Sequence, residues 1–167
     1  MTRCDLSLGF IGLGAIGRPM AANLCQAGFR LNVHTRSRSA ETAPELAGSR
    51  SCASPAEAAD AVDVLLICVS DDQAVETVLF GSDGAASTLR PDSVVVDCST
   101  IAPATAMACA ERLAQQGIHY LDAPVTGGTE GAKAGTLTLL VGGESSVLAS
   151  VRPVLEVIGS TIHHFGP

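Results

Sequence analysis

The chain has 167 residues, a formal net charge of −7 and a hydrophobic fraction of 47%. This length suits a single domain, 1–167, with a real core, and the apolar content excludes a disordered protein. The acidic charge and scattered basic residues argue against a nucleic-acid partner, and no apolar run approaches the roughly 20 residues that a membrane span needs.

Short apolar runs recur along the chain and predict β-strands. They lack polar–apolar alternation and are bounded by turn residues, as strands buried on both faces of a sheet are. The predicted strands cover 8–12, 31–34, 62–69, 93–98, 118–122, 136–142 and 161–165. Ala-rich segments with helical spacing lie between them, at 15–27, 54–60, 71–80, 102–116 and 144–157. Alternating strands and helices predict an α/β fold around a mainly parallel sheet.

A glycine-rich segment directly follows the first predicted strand and opens the first predicted helix. It reads Gly12-Leu13-Gly14-Ala15-Ile16-Gly17. In this position the first glycine permits a tight turn, the second lets a pyrophosphate approach the backbone, and the third lets helix and strand pack closely. The segment therefore predicts a Rossmann-type, doubly wound fold that binds a dinucleotide at the helix N-terminus. A tight turn without a ligand is the alternative.

The end of the second predicted strand bears on which dinucleotide binds. An NAD site usually has Asp or Glu here to accept the ribose 2′-hydroxyl. This chain has Thr35, Arg36 and Ser37 instead, and no acid before Glu41. Because a guanidinium beside hydroxyls can bind a 2′-phosphate, the residues predict NADP as the cofactor, with NAD possible. A solvated polar loop is the alternative.

Three motifs resemble those of the β-hydroxyacid dehydrogenases, which include 3-hydroxyisobutyrate dehydrogenase and tartronate semialdehyde reductase. They are FIGLGAIGRPMAANL (10–24), VDCSTIAP (96–103) and DAPVTGGTEGAKAGTL (122–137), in the family's order and over essentially the whole chain. The resemblance implies an NAD(P)-dependent oxidoreductase of small 3-hydroxy acids or the matching semialdehydes. It also implies a homo-oligomer when the protein is full length.

The resemblance also assigns residues to the site. Val69 and Ser70 would line the cofactor cleft, and Thr100 would lie near the nicotinamide. The substrate carboxylate would be held by Thr126, Gly127 and Gly128. Thr126 replaces the family's usual Ser, and its additional methyl group leaves the substrate's identity open. We further expect Gly131 and Gly135 to let the chain turn back into the strand at 136–142.

The family's general acid/base is a lysine in a further motif, which would lie beyond Pro167. The resemblance therefore assigns no catalytic residue to 1–167 and implies that the helical domain carrying that lysine is absent. Lys133 occupies a variable position of the motif at 122–137, and we expect it to face solvent. Asp97 and Asp122, at strand ends, are expected to be local hydrogen-bond acceptors. We expect the chain alone to bind cofactor without turnover; a non-catalytic dinucleotide-binding or interaction module is the alternative.

Six cysteines lie at 4, 25, 52, 68, 98 and 109. They form no Cys-x-x-Cys pair, and no His cluster has zinc-finger spacing, so we predict no metal site. We expect small buried thiols in a reducing cytosol. The start of the chain does not resemble a signal peptide, which also favours a cytoplasmic location.

Overall fold

The structure is a computed structural model that describes residues 6–167. Cys4 and the first residues of the chain lie outside this described part. The strands within it are β1 (Ser7–Ile11), β2 (Arg30–His34), β3 (Arg50–Ser51), β4 (Val64–Ile67), β5 (Val94–Asp97), β6 (His119–Asp122), β7 (Val125–Thr126), β8 (Leu137–Val141) and β9 (Gly159–His164). The α-helices are α1 (Gly17–Gln26), α2 (Pro55–Ala59), α3 (Asp72–Phe80), α4 (Pro103–Ala114), α5 (Gly128–Ala134) and α6 (Ser145–Ile158).

The main sheet has six strands in the order β3-β2-β1-β4-β5-β6, and all of their pairings are parallel. This is the order of a doubly wound Rossmann sheet, which confirms the predicted fold class. The strand order reverses between β1 and β4, and ligands of such sheets bind outside the carboxyl ends at that point. Ile11 is in register with His34 on one side and Ile67 on the other, so all three mark that edge.

Apolar residues on both faces of the central strands hold the layers together. Leu66 belongs to one buried cluster with Met20 and Leu24 of α1. Leu65, which points to the opposite face, belongs to a second cluster with Leu79 of α3. Fully burying such a side chain stabilises the fold by about 1.5–3 kcal/mol. The uninterrupted apolar runs that predicted these strands are therefore explained by helices packing on both faces.

The last two predicted strands do not join the parallel sheet. β8 pairs antiparallel with β7 and parallel with β9 in a separate three-stranded sheet. A single bridge between Asp122 and Gly142 connects the end of β6 to the end of β8. The carboxyl end of β6 therefore lies where the two sheets meet.

Gly135 turns the chain back toward β8, as expected, at φ +67°. The residues before it form α5, which was not predicted and which contains Gly131. Tertiary contact stabilises this glycine-rich helix: the Asn23 side-chain amide of α1 donates to the Ala132 carbonyl at 2.9 Å. The turn residues were recognised, but the helix between them was missed.

The five cysteines of the described part are free thiols. Cys52, Cys98 and Cys109 are buried, as expected, while Cys25 and Cys68 are only half-buried. Burial raises the pKa of the Cys109 thiol to about 11. Within residues 6–167, no helix combines the length and the apolar character that crossing a bilayer demands.

Candidate cofactor-binding site

An open cleft of about 740 Å³ lies at the carboxyl ends of β1, β2 and β4. This volume is typical of small-molecule and cofactor sites. Three segments form its walls: the glycine loop, the loop after β2 and the start of α3. Of the predicted cofactor residues, the lining includes Gly12, Gly14, Ala15, Ile16, Gly17, Thr35, Arg36, Ser37, Val69 and Ser70.

The three glycines of the loop have different surroundings. Gly12 has φ +99°, and a Cβ there would overlap the Cys68 carbonyl oxygen. A Cβ on Gly17 would overlap the carbonyl oxygen of Gly12, where helix and strand are in contact. Gly14 is exposed, and a Cβ there would have no atom within 4 Å. The loop is thus closed at two glycines and open at the third, the geometry that a pyrophosphate approaching Gly14 needs.

The backbone of the same loop offers hydrogen-bond donors. The Gly12 N–H donates to the His34 carbonyl at 2.9 Å, which anchors the loop on β2. Among the described residues, the N–H groups of Gly14, Ala15 and Ile16 have no protein acceptor. Unpaired donors at a helix start, where the helix dipole is positive, attract an anion.

Leu13 differs from its predicted neighbours because it does not line the cleft. The residue is 5% exposed and belongs to the hydrophobic core. Its N–H donates to the Thr35 hydroxyl oxygen at 3.4 Å, a long hydrogen bond between the glycine loop and the loop after β2. Leu13 therefore anchors the loop, and the cleft is bounded by the residues after it.

The loop after β2 presents Arg36 to the cleft and turns an acid away from it. Arg36 is exposed and lines the cleft. Glu41 does not line the cleft; its side chain is only 2% exposed. Its carboxylate accepts a hydrogen bond from the Thr35 N–H at 2.9 Å and pairs with Arg38 Nε at 3.0 Å. In the sequence Glu41 is only an acid several residues after the strand, since its return to β2 depends on two 3₁₀ turns that were not predicted.

Asp71 stands on the opposite wall of the cleft, at the start of α3. Its carboxylate accepts from the Ser70 hydroxyl at 2.7 Å and from the Ala74 N–H at 2.8 Å. These two hydrogen bonds hold the pKa of Asp71 below its usual range, with a smaller contribution from the positive charge of Arg36. Asp71 is therefore ionised at neutral pH, and the cleft carries charges of both signs.

Thr100 follows β5 and is not part of the cleft lining. The preceding residue, Ser99, accepts the Val69 N–H at 3.0 Å and donates its own N–H to Asp97 at 2.9 Å. The Tyr120 hydroxyl donates to the other oxygen of Asp97 at 2.9 Å. Burial raises the pKa of Asp97, which these hydrogen bonds partly offset. Asp97 is a local hydrogen-bond acceptor, as expected, and its network holds the Val69 backbone at the cleft.

The predicted carboxylate site lies outside the cleft lining, beyond the end of β6. Thr126, Gly127 and Gly128 are all exposed. Thr126 pairs with Thr138 of β8, and the two glycines have φ +131° and +62°. Lys133, one turn further along α5, is exposed and forms an ion pair with Glu130 at 2.9 Å, so it faces solvent as expected.

Several lining residues were not predicted as site residues. One face of α3 contributes a row at helical spacing, a signal that the sequence did contain. Cys68 also lines the cleft; burial raises the pKa of its thiol to about 11, so it is neutral near pH 7. The unpredicted lining residues are Ile11, His34, Cys68, Asp71, Gln73, Ala74, Thr77 and Val78. The described residues contain no group of three or more His, Cys, Asp or Glu side chains placed to hold a metal ion.

Comparison with known proteins also indicates a dinucleotide-binding domain, along nearly the whole chain. The family described as the NAD binding domain of 6-phosphogluconate dehydrogenase matches residues 7–166. An NAD-dependent L-serine dehydrogenase of Pseudomonas aeruginosa is 41% identical over 160 residues, 96% of this chain and 54% of that protein. A 3-hydroxyisobutyrate dehydrogenase of the same organism is 41% identical over 159 residues, 95% of this chain and 53% of that protein.

A solved structure also shares this fold over nearly the whole chain. The structure of Psf3 in complex with NADP⁺ and 2-OPP superposes with a TM-score of 0.89 at 35% identity, covering 95% of this chain and 56% of that one. The chain spans about half the length of the curated relatives it matches. The resemblance to the β-hydroxyacid dehydrogenases is confirmed, and the chain belongs to the family of the NAD binding domain of 6-phosphogluconate dehydrogenase.

Proposed function

We propose that this chain binds NADP in the cleft, as the cofactor domain of an oxidoreductase that acts on small 3-hydroxy acids or their semialdehydes. The observation that carries the proposal is the end of β2. Arg36 and the hydroxyl-bearing residues Thr35 and Ser37 line the cleft there, while the carboxylate of Glu41 is buried and turned away. The relatives' names include both an NAD-dependent enzyme and an NADP⁺ complex. The cofactor preference is therefore argued from this chain's own residues.

The residues present fit a dinucleotide phosphate. The N–H groups of Gly14, Ala15 and Ile16 would hold the pyrophosphate, and the guanidinium of Arg36 would pair with a 2′-phosphate. When bound, NADP supplies or accepts a hydride. The backbone at Val69, fixed by Ser99 and Asp97, would form the wall of the cleft beyond the phosphates.

The substrate end of the site is proposed at the junction between the two sheets. Thr126, Gly127 and Gly128 expose a hydroxyl and backbone N–H groups beyond the carboxyl end of β6. Glycines leave such donors unhindered by a side chain, which suits a small carboxylate. The named relatives are dehydrogenases of L-serine and 3-hydroxyisobutyrate, both small hydroxy acids.

Replacing Arg36 with alanine is expected to lower NADP affinity by about ten- to a hundredfold and to change NAD affinity little. The side chain is exposed at the cleft wall, so its removal should leave the core unaffected. Calorimetric titration of wild type and variant with both cofactors measures the effect.

Arg152→Ala is the matched control for Arg36→Ala. Arg152 is an exposed arginine of α6, away from the cleft, and its charge is also removed. We expect it to leave both affinities unchanged at fixed ionic strength. Equal NADP and NAD affinities in the wild type, or an undiminished preference in Arg36→Ala, would contradict the proposed cofactor.

Replacing Gly128 with alanine tests the carboxylate site. No atom lies within 4 Å of the added Cβ, so the methyl group would occupy only the space offered to substrate. We expect NADP affinity within about twofold of wild type and weaker binding of 3-hydroxyisobutyrate to the NADP-loaded protein. Titration of the acid into the loaded chain measures this.

Gly117→Ala controls for the backbone strain in that variant. Gly117 has φ +72°, close to the +62° of Gly128, and an alanine there makes only an ordinary contact with Pro91. It precedes β6, at the opposite end of the sheet from the cleft. A larger loss of NADP affinity in Gly128→Ala than in Gly117→Ala would show that the carboxylate site is misplaced.

A further inference from the structure

We propose that Glu41 is a positioning residue for the 2′-phosphate, because its buried carboxylate fixes the loop that presents Arg36 to the cleft. This inference rests on the proposed function, since it concerns NADP recognition by the same cleft. Glu41 is the first acidic residue after β2. In an NAD site an acid near this position accepts the ribose 2′-hydroxyl, whereas here Glu41 would favour NADP.

Both carboxylate oxygens of Glu41 have partners within the loop after β2. Oε1 accepts the Thr35 N–H at 2.9 Å, and Oε2 pairs with Arg38 Nε at 3.0 Å. The Glu41 side chain is 2% exposed, and His34 Nδ1 lies 3.7 Å from Oε1. A carboxylate held at both oxygens in a buried place has one orientation, so the backbone at Thr35 has one orientation as well.

Thr35 transmits that constraint to the cleft in two directions. Arg36 directly follows Thr35 in the chain. The hydrogen bond from the Thr35 N–H to Glu41 therefore fixes the position of the backbone that leads into Arg36. The Thr35 hydroxyl accepts the Leu13 N–H at 3.4 Å, in the glycine loop. One carboxylate thus connects the residues expected to meet the 2′-phosphate with those expected to meet the pyrophosphate.

The same contacts prevent Glu41 from acting as the acid of an NAD site. An acid in that role accepts the ribose 2′-hydroxyl and repels a 2′-phosphate. Here the charge of Glu41 is paired with Arg38, which has φ +61° and so turns the loop back over the acid. The pairing removes the repulsion that an acid close to β2 would otherwise exert.

Glu41→Gln tests the inference, since the amide keeps the size and can still accept the Thr35 N–H. Its NH₂ group would face the Arg38 guanidinium, donor against donor, and disturb the loop. We expect NADP affinity to fall about tenfold and NAD affinity to change less than about twofold. Titrations with both cofactors give the ratio of the two dissociation constants, and thermal unfolding checks that the variant is folded.

Glu45→Gln is the matched control. Glu45 is an exposed acid four residues further on, paired with Arg18 at 3.2 Å, and we expect no change in the ratio. Should Glu41→Gln fail to fold, Arg38→Ala replaces it: that variant keeps the Thr35 contact, leaves the acid unpaired, and should also lower the NADP-to-NAD preference.

The outcomes separate this inference from the proposed function. A wild-type protein without NADP preference overturns the proposed function. A wild-type preference that persists in Glu41→Gln, with the ratio unchanged, overturns the inference alone. If Glu41 instead bound the ribose hydroxyl, Glu41→Gln would lose NAD affinity and gain NADP preference, a change of opposite sign that also overturns it.

Discussion

Replacing Gly14 with valine is expected to abolish NADP binding and to leave the fold intact. Gly14 is exposed, its φ is not left-handed, and no atom lies within 4 Å of the position that a Cβ would take. The branched side chain would therefore fit the cofactor-free protein and occupy the space that a pyrophosphate needs. Lost backbone contacts to the phosphates should lower affinity by on the order of a hundredfold or more. Calorimetric titration measures the loss, and thermal unfolding the stability.

Gly17→Ala gives the contrasting result, although it is a smaller change three residues away. Its Cβ would overlap the Gly12 carbonyl oxygen, a backbone atom that cannot move aside cheaply. We expect a loss of about 3 kcal/mol in the free energy of unfolding, or a fall of about 6–12 °C in Tm. A folded Gly14→Val protein with wild-type affinity would show that the glycine loop is only a turn.

The strands of the parallel sheet could be predicted because the signal for each strand lies in its own residues. Strands buried on both faces need continuous apolar residues, which β4 supplies along its whole length, Val64–Ile67, and β5 supplies at 94–96. The second sheet was not separated from the first because β8 was interpreted as one more apolar run, although Thr138 interrupts that run. What distinguishes it is pairing with β7, a strand of two residues that leaves no periodic signal.

The site was predictable to the extent that it lies on loops at strand ends. The common location of the glycine loop and Arg36 could be predicted, because both follow strands of a parallel sheet and such strands present their carboxyl ends at one edge. The position of Glu41 does not follow, because it depends on two 3₁₀ turns, Ser39–Thr42 and Pro44–Leu46, that fold the chain back on β2. Glu41 was therefore interpreted as remote from the site, although its carboxylate is buried against the loop after β2.

A polypeptide of these 167 residues is expected to bind NADP(H) without measurable turnover. Reducing a semialdehyde by hydride transfer requires a proton at the developing alkoxide, and general acid catalysis contributes about 10²–10⁴-fold. The resemblance assigns that proton to a lysine beyond Pro167. Lys133 is exposed on α5, is paired with Glu130 and does not line the cofactor cleft. We therefore expect kcat to lie at least about 10²-fold below that of a complete relative.

The assay compares the purified polypeptide, with NADPH and a panel of short semialdehydes, against the full-length 3-hydroxyisobutyrate dehydrogenase of Pseudomonas aeruginosa, 41% identical in this region. Binding of NADPH, measured in the same sample, shows that the cleft is formed even where turnover is absent. Lys133→Ala should change neither quantity, because the side chain faces solvent. Turnover comparable to the relative's, lost in Lys133→Ala, would place the proton donor within this chain and refute the mechanism that the resemblance implies.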